Sequence, residues 1–196
     1  MSMTPPVEAP VQPPKRSNSA LIIAVVLGGS ALACLVLIAV VGAILFPIFA
    51  QARRTAQRTS AVSQMKMLAL GNLIYANDFD QRLPIATAWM DAVSPEVSSQ
   101  RAFHSPGIGR GGLGQRSYYG IAFMKSLSSV QIQGIDTPAQ RVLLFDSTLM
   151  GRNATSGLDT VPKPPRFGNA ETGGNVFAFV DGHVKLITAT DEVNLK

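Results

Sequence analysis

"GAILFPIFAQARRTAQRTS", residues 42–60, begins as hydrocarbon and ends with three arginines, and Pro47 sits near the change. Upstream, residues 20–50 carry no charged side chain. As a helix this run would extend roughly 46 Å, at about 1.5 Å per residue. A bilayer core needs only about 20 residues. An uncleaved single-pass transmembrane helix over 20–50 is therefore the expectation. A cleaved secretory signal would have Lys15 and Arg16 as its basic region, but the apolar run is about twice the usual length. A lipoprotein signal would end at Cys34 in "ALAC", yet more apolar residues follow where such a chain turns polar. Pro47 has no N–H to donate to the carbonyl of Ala43, so a kink is expected there. Membrane helices tolerate such kinks where neighbouring groups satisfy the freed carbonyl. Phe46, Pro47, Arg53 and Arg54 thus mark an expected joint at the membrane border.

Below the arginines the helical signal continues. Val62, Met65, Leu68, Ala69, Leu73 and Ala76 recur at steps of mostly three and four, as an amphipathic helix requires. The pattern stops at "NDFDQRLP", where Asp78, Asp80 and Pro84 signal a helix end and a loop. One long helix, or two nearly collinear ones, is predicted from about residue 19 to 77. Residues 1–19 hold five prolines and almost no large apolar residue, and read as a disordered tail.

The net charge of +5 first suggests nucleic acid, but its placement argues otherwise. Lys15 and Arg16 stand against Glu8 in residues 1–50. Arg53, Arg54, Arg58 and Lys66 stand with no acid in residues 51–66, and the rest of the chain is neutral. An excess confined beside the apolar run fits anionic lipid headgroups and not a nucleic-acid face. Cys34, the only cysteine, excludes intramolecular disulfides and cysteine-cluster metal sites.

In residues 79–190, "ATAWMDAVSPEVSS" reads as a short helix stopped or bent near Pro95. The buried strand is "RVLLF", residues 141–145, and "SYYGIAFMKSLSSVQIQGI", residues 117–135, reads ambiguously with room for short strands. The clearest local signal is "NVFAFVDGHVKLI", residues 175–187. Asp181-Gly182 between two alternating apolar runs predicts a tight type I′ hairpin. That register sets Phe179 opposite Val184 and Phe177 opposite Leu186 on the core face, with Ala178, His183 and Lys185 behind it. The expected fold class is α+β, a long N-terminal helix packed on a small antiparallel sheet.

Chemistry-bearing motifs are sparse. Gly107, Gly109 and Gly112 match G-x-G-x-x-G by letters, but no strand precedes them and no helix pattern follows. Asp181 and His183, joined by Asp78 and Asp80, are the candidate set for a divalent ion such as Ca²⁺, with Asp146 and Glu171 as further oxygen donors. The alternative for Asp181 is a positive-φ turn residue, and for Asp78 and Asp80 a helix-ending turn. Two histidines exclude a His-rich zinc site, and no G-x-S-x-G elbow appears. Asn153 begins the letters of a glycosylation sequon and carries no further signal. No catalytic residue is identified.

Together, Phe46, Pro47, Phe49 to Arg53, Tyr75, Ala76, Asp78 to Asp80, Leu83 and Pro84 resemble the start of bacterial prepilin-like proteins. These belong to a domain family of unknown function named for a histidine, nine residues, then Asp-Gly. "WMDAV", "VLLFDS" and "NVFAFVDGHVKLI" resemble its short helix, central strand and C-terminal hairpin, so the likeness runs from about residue 41 to 187. Three departures stand out. The prepilin peptidase signal is absent, the name-giving histidine is Glu171, and Ser105-Pro106 replaces a Cys-Pro pair.

The resemblance implies a type IV pilin-like layout, with a helix anchored in the bacterial inner membrane and its outer half packed on a sheet outside. Related pseudopilins build or prime filaments of type II secretion or competence machines and are structural, not enzymatic. Gly28, Gly29, Ser30, Ala31, Ala33 and Gly42 would favour association of such helices in lipid. The other reading is a tethered module binding a small ligand, glycan or ion at the envelope. A membrane-bound hydrolase is the third. Counting flanking Lys and Arg alone would place the domain in the cytoplasm; the resemblance places it outside, which is the orientation expected.

Overall fold

The computed structural model describes residues 19–108, 118–168, 173–188 and 191. The proline-rich tail, Gly109, Gly112 and Glu171 lie outside the described residues, as do the side chains of Ser30, Ala31 and Ala33. The chain divides into two compact units at residues 49 and 50. A single helix, α1, is assigned over Ser19–Asp78 with Pro47 inside it.

In the first unit the described side chains of α1 are exposed, among them Leu35, Leu37, Ile38, Ile44, Phe46 and Phe49. Burying such a surface in hydrocarbon is favourable by the same transfer energy that drives core formation. The helix is long and apolar enough to cross a membrane.

In the second unit α1 changes character. Ala61, Met65, Leu68, Ala69 and Ala76 are buried in one core with strand residues. Val62 and Tyr75 sit at its margin and Leu73 is half-buried, whereas Leu70 and Ile74 face outward. Asn72 interrupts the apolar stripe. It is fully buried, and its Nδ2 donates to the carbonyl of Leu68 at 2.8 Å. After Asp78 the chain reverses through Asp80 and Gln81, both at positive φ, in a turn where the Arg82 N–H donates to the Phe79 carbonyl.

The expected short helix is found as α2, Trp89–Val93, flanked by 3₁₀ turns at Ala86–Ala88 and Ser94–Glu96. Five strands follow: β1 Ile121–Met124, β2 Val142–Asp146, β3 Thr155–Ser156, β4 Gly174–Phe179 and β5 Val184–Thr188. Their order across the sheet is β3-β1-β2-β4-β5. The sheet is mixed, which corrects the antiparallel expectation, because β3 pairs parallel to β1. The reason is connectivity. β2 runs antiparallel to β1, so it ends beside the start of β1. A strand entering from that end on the far side of β1 must run in β1's direction.

The sheet is apolar on both faces. Ile121, Phe123, Leu143, Leu144, Val176 and Ala178 join the core with α1 and α2. Ala122, Val142, Phe145, Phe177, Phe179 and Ile187 form a second cluster, with Ala154 and Val161. Two adjacent leucines face the same core because the β2–β4 register slips between Val142 and Leu144. An extra residue on one strand re-aims its neighbours in this way.

The hairpin corrects the sequence reading by one residue. Phe177 pairs with Lys185 and Ala178 with Val184. The loop is Val180-Asp181-Gly182, closed by the Gly182 N–H donating to the Phe179 carbonyl and the Phe179 N–H to that of His183. This is the three-residue type I turn with a glycine bulge, not the two-residue I′ turn. Gly182 holds the positive φ, +84°, and Asp181 does not. A one-residue slip exchanges faces, so Phe177 and Phe179 point away from α1, and Val176, Ala178, Val184 and Leu186 point toward it. Val180, 1 % exposed, reaches the helix-side core from the loop, which favours the longer turn.

A Cβ at Gly182 would lie 2.9 Å from Leu73 Cδ1. Left-handed backbone costs an L-residue roughly 1–2 kcal/mol. Gly182→Ala is therefore expected to lose about 1–2 kcal/mol in urea denaturation, with Leu73 shifting.

Candidate functional site

At the hairpin tip the structure brings together Asp181 and His183. Asp181 Oδ1 accepts from the His183 backbone N–H at 3.0 Å and contacts its ring Nδ1 at 2.6 Å. The imidazole stacks on Phe179, centroids 4.2 Å apart and planes within 5°. Lys66 Nζ reaches from α1 to the Gly182 carbonyl at 2.6 Å. Partial burial pushes the Asp181 carboxyl up. The His183 N–H, its ring and the Lys66 charge outweigh that and leave it below the usual carboxylate range.

Asp78 and Asp80 are exposed at the end of α1. Among the described residues no three His, Cys, Asp or Glu side chains converge as a metal ion requires. Of the candidate set Asp181, His183, Asp78 and Asp80, the geometry joins the first two. Asp181 organises its own turn, and Asp80 supplies a left-handed turn position at φ 51°. Phe46, 79 % exposed, lies on α1 in the first unit beside Pro47. Arg53 and Arg54 lie exposed on α1 in the second.

The strongest electrostatic feature is elsewhere. Asp146 ends the all-apolar strand β2 and is 1 % exposed. Its carboxylate accepts from Arg166 Nη1 at 2.9 Å, Ser105 Oγ at 3.1 Å and the Val176 N–H at 2.7 Å. Arg166 also donates to the carbonyls of Gly120 and Ser147, both at 2.6 Å. Asn175 accepts from the Arg166 N–H and donates to the Pro162 carbonyl. Burial pushes the Asp146 carboxyl up, opposed by the Arg166 charge, the Val176 N–H and the Ser105 hydroxyl. Arg166 Nη1 and the Val176 N–H can only donate and the Ser105 hydroxyl donates here, so the carboxylate accepts all three bonds as an ion pair. With both partners buried, the pair cannot meet a substrate, and it ties the 157–168 loop to the sheet. This also removes Asp146 from the candidate ion ligands.

A second cluster surrounds Asp91 on α2. Arg152 Nε donates to Asp91 Oδ1 at 2.8 Å, and the Asn153 amide donates to Oδ2. Asn153, at φ 54°, also accepts the Met90 N–H at 2.8 Å. No local pattern singles out this position for the role, although Asn is a residue that tolerates left-handed backbone. The Asn153 and Arg152 donors hold the Asp91 carboxyl below its usual range. A depressed folded pKa stabilises above the unfolded value and loses that effect as pH falls through the folded one. Asp91→Asn should thus give a shallower acid limb, the difference from wild type closing below about pH 4. Thermal melts from neutral pH to about pH 2.5 check it.

A shallow opening of about 320 Å³ lies between Ser126, Asp136, Thr137 and Arg141. The chain matches no protein-family model, no curated protein and no solved structure.

Proposed function

We propose that this chain is a single-pass, membrane-anchored, pilin-like structural or assembly protein of the bacterial envelope, with its C-terminal unit outside the inner membrane. In this reading it is not an enzyme. It works by holding a small domain at the membrane and by associating with like helices, in the manner of pseudopilins of secretion or pilus machines. The observation that carries the reading is the change in α1 itself. The described side chains of its first part are exposed and apolar, and from Ala61 onward the same element packs in the core of an α+β domain. Exposed apolar area on that scale is unstable in water and comfortable in lipid. Arg53, Arg54 and Arg58 then fall where anionic headgroups attract them.

Cys34 is exposed on α1 and is the only cysteine, so it reports helix association directly. Oxidative cross-linking in native membranes is expected to give a Cys34-linked species that Cys34→Ser abolishes. Shearing should release part of the protein with surface material. Monomer alone, retained wholly in washed membranes, would refute the assembly role.

A further inference from the structure

The outer edge of β5 carries backbone chemistry that the described residues leave unused. Phe179 and His183 form a bonded pair across the hairpin, so bonded pairs recur at Phe177–Lys185 and Asn175–Ile187. The alternating residues Val184 and Leu186 therefore aim their N–H and C=O groups away from β4. Among the described residues nothing pairs with them. Their side chains are half-buried against the core that includes α1. Between them Lys185 projects, exposed, from the opposite face. At the tip where β5 begins, Leu70 Cδ2 stands 3.9 Å from the Cβ position of Gly182. Leu70 and Ile74, one turn apart on α1, are 44 % and 46 % exposed.

We infer that this edge accepts an extended strand from a different protein, antiparallel to β5, apolar at alternate positions and acidic between them. Residues opposite Val184 and Leu186 would exchange paired hydrogen bonds with them and extend the apolar layer under the sheet. The residue opposite Lys185 would occupy a non-hydrogen-bonded pair, where side chains approach most closely. A carboxylate there is the complementary partner.

A second copy is a poorer occupant. In the register that pairs both Val184 and Leu186, two antiparallel β5 strands set Lys185 opposite Lys185, and like charges directly opposite are destabilising. The other border strand, β3, has two residues, too few for a matching strand.

The test uses the full chain in detergent micelles and fluorescein-labelled peptides read by anisotropy. The probe is Val-Glu-Val-Glu-Val-Glu-Val. Controls are the same peptide N-methylated at its valines, which removes the bonding N–H groups, and a Val/Lys version. The Val/Glu peptide is expected to bind at least about tenfold more tightly than either control. Lys185→Glu, a surface change, should reverse the Val/Glu against Val/Lys order. Equal binding of the methylated peptide, no binding at all, or an unchanged order in Lys185→Glu would overturn the inference. So would a dimer of the chain cross-linked β5 to β5. The peptide assay does not depend on membrane placement, so its failure is distinct from failure of the anchored reading.

Discussion

Arg166→Met is expected to destabilise the domain by about 3–5 kcal/mol, the typical cost of breaking a buried ion pair from one side. The substitution leaves the Asp146 carboxylate 1 % exposed, with the Ser105 hydroxyl and Val176 N–H but no counter-charge. It also strips donors from the carbonyls of Gly120 and Ser147. Protonation of Asp146 would relieve the charge only by turning the Ser105 hydroxyl from donor to acceptor. The double variant Arg166→Met/Asp146→Leu separates pairing from packing, since replacing both ions by apolar groups is often neutral. It should recover most of the loss. Trp89, the only tryptophan, is fully buried in the same unit and reports unfolding in urea. A loss under about 1 kcal/mol for the single variant would show that the pair contributes nothing measurable.

Trp89→Ala carries a similarly large expected effect, about 3–5 kcal/mol. The indole sits between Phe103 and Phe123, with centroids 6.1 and 6.0 Å away. Its Nε1 donates to the Ala154 carbonyl at 3.0 Å, pinning α2 to the chain entering β3. Trp89→Phe keeps most of the volume and loses that bond, so it should cost about 1 kcal/mol. Both are read by circular dichroism melts, the probe tryptophan being absent. Equal losses in the two variants would mean that the hydrogen bond, not the packed ring, dominates.

What the sequence disclosed depended on how local the governing contact is. The helix was legible because Met65, Leu68, Ala69 and Ala76 repeat at helical spacing and charge is absent from 20–50. β2 was legible as an unbroken apolar run. The hairpin was legible in existence but not in register. Asp-Gly suits both loop lengths, and the choice was made by Val180 finding the core, a contact remote in sequence. The parallel β3 was invisible because a two-residue strand has no periodicity. Within the candidate site, Asp181 and His183 meet because they stand two residues apart in one turn. Arg166 was missed because it lies in a loop and its partner, Asp146, ends a strand 20 residues upstream. The only local hint was an aspartate closing "VLLFD", where a buried acid demands a distant cation.

On the proposed reading, residues 20–50 anchor the chain in the membrane and the α+β domain lies outside the cytoplasm. Protease added to intact spheroplasts is the decisive test. The C-terminal domain is expected to be digested without permeabilisation, while a cytoplasmic marker survives. A domain that stays intact until detergent opens the membrane would contradict it.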